Sequence, residues 1–324
     1  MLYPAGMIDL EVRELRYFTA VAEELNFSRA AERLGMAQPP LSRAIRQLER
    51  RLGVQLFERS NRHVLLTVAG LTLLDEARHA LCAISAASRR TRRAAEETPT
   101  LVVTAKPGVA TNLLQRIVAA YSQLPGAPRV EFAVSGFGEQ ADMVRDGRAD
   151  VALLGSPHDL PGLDAETLIT EPRVAALPIG HHLARRTAIR CRDLAGLPMP
   201  QWPDSSASSR DYWSGRDLHS GTRDGPESPG EPPVHGPAVR DSSQLLEAVA
   251  LGQAVALIPL SVAEHSRRDD VTYRPVTDAS PYTIVIAWPE YSRALWTARF
   301  VRTSTDLTAG QDDVELAREL VAAF

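Results

Sequence analysis

The sequence predicts an α/β protein of several domains: a small helical module, one long helix, and a larger domain in which strands and helices alternate. Three observations support this prediction. The chain has 324 residues, which is enough for about two domains. Apolar residues recur at helical spacing through residues 10–93. Beyond Pro99, segments typical of strands alternate with segments typical of helices.

Composition excludes several classes of protein. Charged residues make up 23% and hydrophobic residues 44% of the chain, which is ordinary for a globular protein and excludes wholesale disorder. No apolar run reaches the ~18 residues of a membrane helix, and the N-terminus lacks the pattern of a signal peptide. The only cysteines, Cys82 and Cys191, cannot form a disulfide framework. We therefore expect a cytoplasmic protein without a membrane partner.

Charge is distributed unevenly along the chain. The net charge is −4, yet residues 1–97 contain 15 arginines and 12 acidic residues. Residues 28–63 alone contain eight arginines and three glutamates. A basic patch within an acidic protein is typical of a module that binds a polyanion. A solvated basic surface without a partner is the alternative.

The first 53 residues predict three helices, over 10–25, 29–34 and 40–52. Ser28 is the expected N-cap of the second helix, and Gly35 the residue that ends it. Two helices joined by such a tight turn form a helix-turn-helix motif.

The third helix has one apolar and one polar face, which carry Leu41, Ile45, Leu48 and Leu52, and Ser42, Arg43, Arg46 and Arg50, respectively. The polar face suits a DNA major groove. Arg43 or Arg46 can bond guanine O6 and N7, and Gln38 can pair with adenine N6 and N7.

Two short strands are expected next, over 54–57 and 64–67. The connecting residues include Arg59 and Arg62, so the hairpin would be a wing that enters a minor groove or contacts phosphates. A generic three-helix bundle with a surface hairpin is the alternative.

These segments resemble the winged helix-turn-helix of LysR-type transcriptional regulators over residues 9–70. The matching residues are Leu15-Arg16-Tyr17-Phe18, Phe27-Ser28-Arg29-Ala30-Ala31-Glu32-Arg33-Leu34, Ala37-Gln38-Pro39-Pro40-Leu41-Ser42-Arg43, Leu48-Glu49, Leu52-Gly53, Leu56-Phe57-Glu58-Arg59 and Leu66-Thr67-Val68-Ala69-Gly70. The resemblance implies double-stranded DNA as a partner. The expected DNA-binding residues are Gln38, Pro39, Pro40, Ser42, Arg43, Arg46 and, in the wing, Arg62.

A long helix follows the wing from Val68 to Arg93. Its apolar seam consists of Leu73, Ala77, Ala80, Ile84 and Ala87, a spacing that can pair two helices. The resemblance implies a linker helix through which two chains dimerise, and from which a tetramer assembles. A helix packed on its own domain is the alternative. The expected boundaries are 1–67 for the DNA-binding domain and 68–97 for the linker helix.

Residues 98–303 are expected to form an α/β domain with a parallel sheet. They resemble the LysR-type effector-binding domain, which has two periplasmic-binding-protein-like α/β subdomains around a cleft. The resemblance depends on residues 146–153, 177–184 and 193–198. Residues 221–237, nine of which are Gly or Pro, predict a mobile or disordered insertion. Residues 304–324 predict a tail with a short amphipathic helix.

Ligands of open α/β sheets bind beyond the carboxyl ends of the strands. This rule and the resemblance nominate as effector-binding residues Thr104, Lys106, Ser135, Gly136, Gly155, Trp202, Asp204 and Asp241. Hydroxyls, amides and one cation suit a small carboxylate. Lys106, the single lysine, is the expected anion partner, with an ordinary surface lysine as the alternative. The double proline Pro39-Pro40 resembles regulators of aromatic-acid catabolism and hints at an aromatic acid.

Two patterns typical of enzymes are weak. Gly136-x-Gly138-x-x-Ala141 matches the loose dinucleotide pattern but lacks the acidic residue expected ~20 positions later. His181, His182 and Cys191 fit no zinc spacing. We therefore expect a transcription regulator without enzymatic activity, cofactor or metal. A regulator with a degenerate cleft and an enzyme with an appended helix-turn-helix remain alternatives. RNA polymerase is left open as a further partner.

Overall fold

The computed structural model describes residues 10–59, 63–96, 98–105, 110–136, 138–203, 206–217, 234–290 and 292–309. The chain divides into two compact units. The first is formed by the residues up to Ala95 together with Arg145–Gly147, and the second by the remainder. Within the described ranges, no helix has the length and apolarity needed to cross a membrane.

The first unit contains four helices and a hairpin. Its elements are α1 (Val12–Glu24), α2 (Phe27–Arg33), α3 (Gln38–Leu52), β1 (Phe57–Arg59), β2 (Val64–Leu66) and α4 (Val68–Ala94). Phe18, Leu41 and Leu48 are fully buried in one core, and the Phe18 and Phe57 rings lie 5.4 Å apart. Each such side chain contributes about 1.5–3 kcal/mol on burial, which holds α1, α3 and the hairpin together.

Three local predictions in this unit need correction. The N-cap of α2 is Asn26, whose Oδ1 accepts from the amides of Ser28 and Arg29, so Ser28 lies inside the helix. Helix α3 begins at Gln38 because prolines are tolerated in a first turn. The first strand of the hairpin begins only at Phe57. The Val54 amide instead donates to Glu49 O at the end of α3, which holds that segment out of the hairpin.

The long helix α4 begins at the Thr67 cap, whose hydroxyl accepts from the Gly70 amide. Its first half packs on the core of its own unit, where Leu74 and Ala77 are buried. Further along, Ile84 is 39% exposed. The predicted apolar seam is therefore divided: its early residues pack on the core of the first unit, whereas Ile84 and Ala87 are exposed.

The second unit consists of two subdomains. The first subdomain comprises β3 (Thr100–Ala105), α5 (Thr111–Tyr121), β4 (Arg129–Val134), α6 (Gln140–Arg145), β5 (Val151–Gly155), β6 (Leu163–Glu171), β12 (Tyr282–Pro289) and α10 (Leu295–Thr308). The second comprises β7 (Arg173–Pro178), β8 (Pro198–Gln201), α7 (Ala207–Trp213), β9 (Val234–Ala238), α8 (Ser242–Ala250), β10 (Ala256–Pro259), α9 (Leu260–His265) and β11 (Val271–Pro275), with two short 3-10 turns.

The expected parallel sheet is only partly present. The first subdomain has the strand order β4-β3-β5-β12-β6; β3, β4 and β5 are parallel, whereas β12 runs antiparallel to both of its neighbours. In the second subdomain, β7 lies between β10 and β11 and is antiparallel to each. Strands β10 and β11 are therefore parallel to each other, but β7 lies between them, so they do not pair.

Two further boundaries differ from the sequence prediction. The end of the expected insertion is ordered, because Val234–Ala238 form β9 and pair in parallel with β8. Helix α10 extends to Thr308, past the boundary expected at 303. The rest of the insertion and the predicted tail helix lie outside the described residues.

A buried arginine joins the two segments that cross between the subdomains. Arg173, which begins β7, is fully buried and stacks 3.9 Å from the Tyr212 ring centroid. Its guanidinium donates to Ser280 O (2.6 Å), Ser280 Oγ (2.5 Å) and Tyr212 O (2.6 Å), and it faces Asp217 at 3.4 Å. One side chain thus ties the first crossing segment to the second and to α7.

Candidate DNA-binding and effector sites

Helices α2 and α3 form a helix-turn-helix. Between them, Gly35 has φ +66°, a conformation that glycine adopts without strain, and the chain turns there into the Ala37 cap of α3. Gln38 and Pro39, in the first turn of α3, are exposed, and Pro40 is half-buried. The start of α3 therefore presents an amide side chain and two rigid rings to the surface.

The exposed face of α3 carries the predicted recognition residues. Arg43 and Arg46 are exposed, whereas Leu41 and Ile45 on the opposite face are buried in the core. Ser42 is only 8% exposed, so it offers little surface to a partner. The helix therefore presents guanidinium groups, rather than the Ser42 hydroxyl, as its main polar surface.

The arginines of this unit differ in their partners. Arg33 pairs with Glu23 at 2.8 Å, Arg59 pairs with Glu49 at 2.7 Å, and Arg51 contacts Glu14. Arg43 and Arg46, by contrast, have no acidic partner in the part of the chain that the structure describes. Their charge is therefore available to an external anion.

The hairpin is held against α3 by one carboxylate. Glu49 Oε1 accepts from the amides of Leu56 and Phe57, and Glu49 Oε2 pairs with Arg59. The two strands are antiparallel, with Phe57 opposite Leu66. This arrangement fixes the base of the wing relative to α3. The predicted wing contact Arg62 lies outside the described residues.

A cavity lies between the two subdomains of the second unit; we call it the cleft cavity. Its volume is about 680 Å³. Gln140, Gly155 and His158 line it from the first subdomain, and Ser209 and Trp213 from the second. Its size is that of ordinary small-molecule sites, which span ~300–1,000 Å³.

Polar groups of the first subdomain form a hydrogen-bonded cluster at the cleft cavity. Ser156 Oγ lies 2.7 Å from Thr283 Oγ1, and His158 Nε2 lies 2.8 Å from the same oxygen. Burial lowers the pKa of His158 below its ordinary value, so the imidazole is neutral at neutral pH. The cluster therefore offers a ligand neutral donors and acceptors.

The charged side chains along the cleft cavity are acidic. Glu139, Asp142 and Asp159 line it, and no arginine or lysine is found among the described lining residues. Lys106, the anion partner expected from the sequence, lies outside the described residues, as does Asp204. The described walls of the cleft cavity therefore supply no side-chain cation for a carboxylate.

The other predicted effector residues occupy varied positions. Gly155 lines the cleft cavity, where an added Cβ would lie 1.6 Å from Tyr282 Oη. Trp202 lines two smaller cavities beside Trp213. Thr104 is fully buried and donates to Ala133 O, so its side chain supports the sheet.

Ser135, Gly136 and Asp241 already serve internal contacts. Ser135 Oγ donates to Ala105 O and accepts from Gln140 Nε2. The Gly136 amide donates to the Glu139 carboxylate. This amide is therefore not free to bind the phosphate of a dinucleotide. Asp241 is exposed and caps α8 by accepting from the Gln244 amide.

Sequence reasoning missed four side chains at the cleft cavity: Gln140, His158, Trp213 and Tyr282. Tyr282 is the first residue of β12, the strand by which the chain returns from the second subdomain. Its position at this crossing point, next to the cleft, is a signal by which it could have been predicted. Trp213 had no comparable signal, because α7 is a short helix outside the strand ends.

The weak metal pattern does not form a cluster. The His181 and His182 rings lie 4.4 Å apart, whereas Cys191 is buried in a core on a separate turn, where burial raises the pKa of its thiol to about 12. Across the described ranges, no group of three His, Cys, Asp or Glu side chains could hold a metal ion.

Comparisons with known proteins match both units. The LysR substrate binding domain family matches residues 94–304, and the lysR family of bacterial regulatory helix-turn-helix proteins matches residues 12–71. The Hca operon transcriptional activator HcaR of Escherichia coli is 31% identical over 287 residues, which cover 86% of this chain and 92% of HcaR.

The regulator BenM of Acinetobacter baylyi gives a similar result. It is 29% identical over 276 residues, covering 85% of this chain and 88% of BenM. The crystal structure of full-length BenM matches with a TM-score of 0.52 at 27% identity, over 93% of this chain and 97% of that one. Because the LysR domain match covers more than half of the chain and HcaR matches over most of its length, the chain belongs to the LysR family: it is a DNA-binding transcription regulator with an effector-binding domain, and not an enzyme.

Proposed function

We propose that this regulator holds its effector in the cleft cavity and that the bound effector changes its contacts with operator DNA. The observation that carries the proposal is that both subdomains contribute walls to the cavity. A ligand that touches both walls favours the arrangement in which they are closest, and so shifts the population of conformations.

The neutral cluster of Ser156, His158 and Thr283 supports a ligand with hydroxyl or carbonyl groups. A small carboxylate additionally requires Lys106. The residues nominated from the sequence, Thr104, Lys106, Ser135, Gly136, Gly155, Trp202, Asp204 and Asp241, remain candidates, with Gln140, His158, Trp213 and Tyr282 added.

A thermal-shift screen of small carboxylates and polyols tests the cleft cavity. A true effector at 100 times its Kd stabilises the protein by ~2.7 kcal/mol. His158→Gln should weaken that ligand, and Lys106→Gln should weaken it only if it is an anion. A ligand that binds both variants as tightly as the wild type would contradict the assignment of the cavity.

For DNA, we propose that α3 reads the major groove through Gln38, Arg43 and Arg46, with Pro39, Pro40 and Ser42 at its start and Arg62 in the wing. The support is that Arg43 and Arg46 are exposed and have no acidic partner within the described ranges. Arg43→Ala should weaken specific binding by ~1–3 kcal/mol at fixed salt. Arg302→Ala, on α10, is the matched control and should leave binding unchanged. Unchanged operator affinity for Arg43→Ala would contradict the recognition face.

We also propose that the chain dimerises through the distal half of α4, assembles to a tetramer, and works in the cytoplasm. The support is the exposure of Ile84 in that half. Ile84→Glu should lower the oligomer mass in sedimentation velocity, whereas His79→Glu, also on α4, serves as a control. A wild-type mass for Ile84→Glu would exclude this seam.

A further inference from the structure

A second cavity lies entirely within the second subdomain; we call it the arginine cavity. Its volume is about 280 Å³, and it opens between β8, β9 and α7. Trp202, Arg210, Trp213 and Arg216 line it, with His235 from β9. Among the described lining residues, the two cavities have Trp213 alone in common, so an occupant of this cavity would be a different molecule from the one proposed for the cleft.

The charge of the arginine cavity is opposite to that of the cleft cavity. Two arginines, Arg210 and Arg216, and one aspartate, Asp211, line it, so the formal charge of these lining side chains is +1. The Arg216 guanidinium and the His235 ring form no ion pair or hydrogen bond within the part of the chain that the structure describes. Arginine binds carboxylates through two parallel hydrogen bonds, so this wall favours a carboxylate.

The aromatic residues that line the cavity are held in place by contacts with their neighbours. The rings of Trp202 and Trp213 lie 6.4 Å apart at 49°, and Tyr212 packs edge-on against Trp213 at 5.1 Å. The Tyr212 hydroxyl donates to Pro281 O, and its backbone carbonyl accepts from Arg173. These contacts anchor α7, and the anchored helix helps to maintain the shape of the cavity.

We propose that the arginine cavity binds a small planar aromatic carboxylate, with its ring against Trp202 and Trp213 and its carboxylate on Arg210 and Arg216. The volume limits the ligand to about one ring with a short substituent, since it lies at the low end of the ~300–1,000 Å³ typical of ligand sites. This is a second ligand site in the same domain, separate from the cleft cavity.

Fluorine NMR of the full chain, labelled with 5-fluorotryptophan, tests the site. The chain has four tryptophans, two of which line the cavity. The probe is 4-methylbenzoate, with 4-methylbenzamide as its neutral analogue and 4-methylcyclohexanecarboxylate as its non-aromatic analogue. We expect saturable shifts of the Trp202 and Trp213 resonances, none at Trp288 and Trp296, and at least tenfold weaker binding of both analogues.

Variants separate the two cavities. The double variant Arg210→Gln with Arg216→Gln should raise the Kd of 4-methylbenzoate at least tenfold. If the double variant does not fold, Arg216→Gln alone replaces it and should raise the Kd at least threefold. The control Arg302→Gln and the cleft variant His158→Gln should each leave the Kd within twofold. The proposal is overturned by equal binding of acid and amide, by a Kd unaffected by the arginine variants, or by a Kd that rises in His158→Gln. A Kd that rises in His158→Gln would place the probe in the cleft cavity instead. The proposal for the arginine cavity would then fail while the proposal for the cleft cavity stands.

Discussion

Replacing Arg173 with methionine should destabilise the effector-binding domain by about 3–5 kcal/mol, the cost of removing one partner of a buried ion pair. The side chain is fully buried and faces Asp217. The change also removes the donors to Ser280 O and Tyr212 O. At about 1–3 kcal/mol for each buried acceptor left unsatisfied, these two losses alone give a total of the same size.

Tryptophan fluorescence during thermal unfolding measures this loss selectively. All four tryptophans, Trp202, Trp213, Trp288 and Trp296, lie in the second unit, so their emission reports that unit alone. A domain of 150–250 residues loses ~2–4 °C of Tm per kcal/mol, so we expect a decrease of roughly 6–20 °C.

Two further variants make the Arg173 prediction specific. Arg302→Met removes an arginine whose contact with Asp306, at 3.9 Å, joins two exposed side chains, and such pairs stabilise little. Asp217→Asn in the Arg173→Met background removes the carboxylate that faced the lost cation, so it should recover part of the Tm. An Arg173→Met protein that melts within ~2 °C of the Arg302→Met control would refute the reasoning.

Three other predictions follow from close contacts and burial. Gly70→Ala would place a Cβ 2.2 Å from Leu56 O, so the DNA-binding unit should lose ~1–3 kcal/mol in urea unfolding, whereas Gly180→Ala meets no atom within 4 Å and should be neutral. Gly155→Ala should displace Tyr282 and weaken effector binding in calorimetry, while operator affinity in gel-shift assays stays at the wild-type value. Burial raises the pKa of Glu171, so the folded state keeps the proton on this carboxyl to a higher pH than the unfolded state does. Stability should therefore fall as the pH rises above the ordinary pKa of glutamate. Glu171→Gln should remove this dependence from a series of Tm values measured at different pH, and an unchanged dependence would count against the assignment.

The helix-turn-helix could be predicted because its signals are local. Gly35 and the prolines after Ala37 determine where the helices end and begin through backbone geometry alone. The prediction of Ser28 as the N-cap of α2 was wrong, because Asn26 and Ser28 are both good N-cap residues and lie two residues apart. The structure selects Asn26, whose carboxamide oxygen reaches two amides.

The effector region could be predicted only in outline because its walls come from distant segments. His158, Trp213 and Tyr282 lie tens of residues apart, and neither periodicity nor turn chemistry links them. The alternation of elements predicted a parallel sheet, but it could not show that β7 would lie between β10 and β11 and run antiparallel to both. Likewise, no pattern in the sequence showed that the Thr104 hydroxyl would be used inside the sheet.

The pairing of the arginines, rather than their number, supports the proposed DNA-binding face. Arginine is abundant throughout the chain, so its count alone does not distinguish a recognition helix from a solvated surface. In the first unit, acidic side chains neutralise Arg33, Arg51 and Arg59, which stabilise the fold. Arg43 and Arg46, on one exposed face of α3, have no such partner among the residues that the structure describes. Two like charges one helical turn apart repel each other, and a bound polyanion would relieve that repulsion, which supports the proposal that this face contacts DNA.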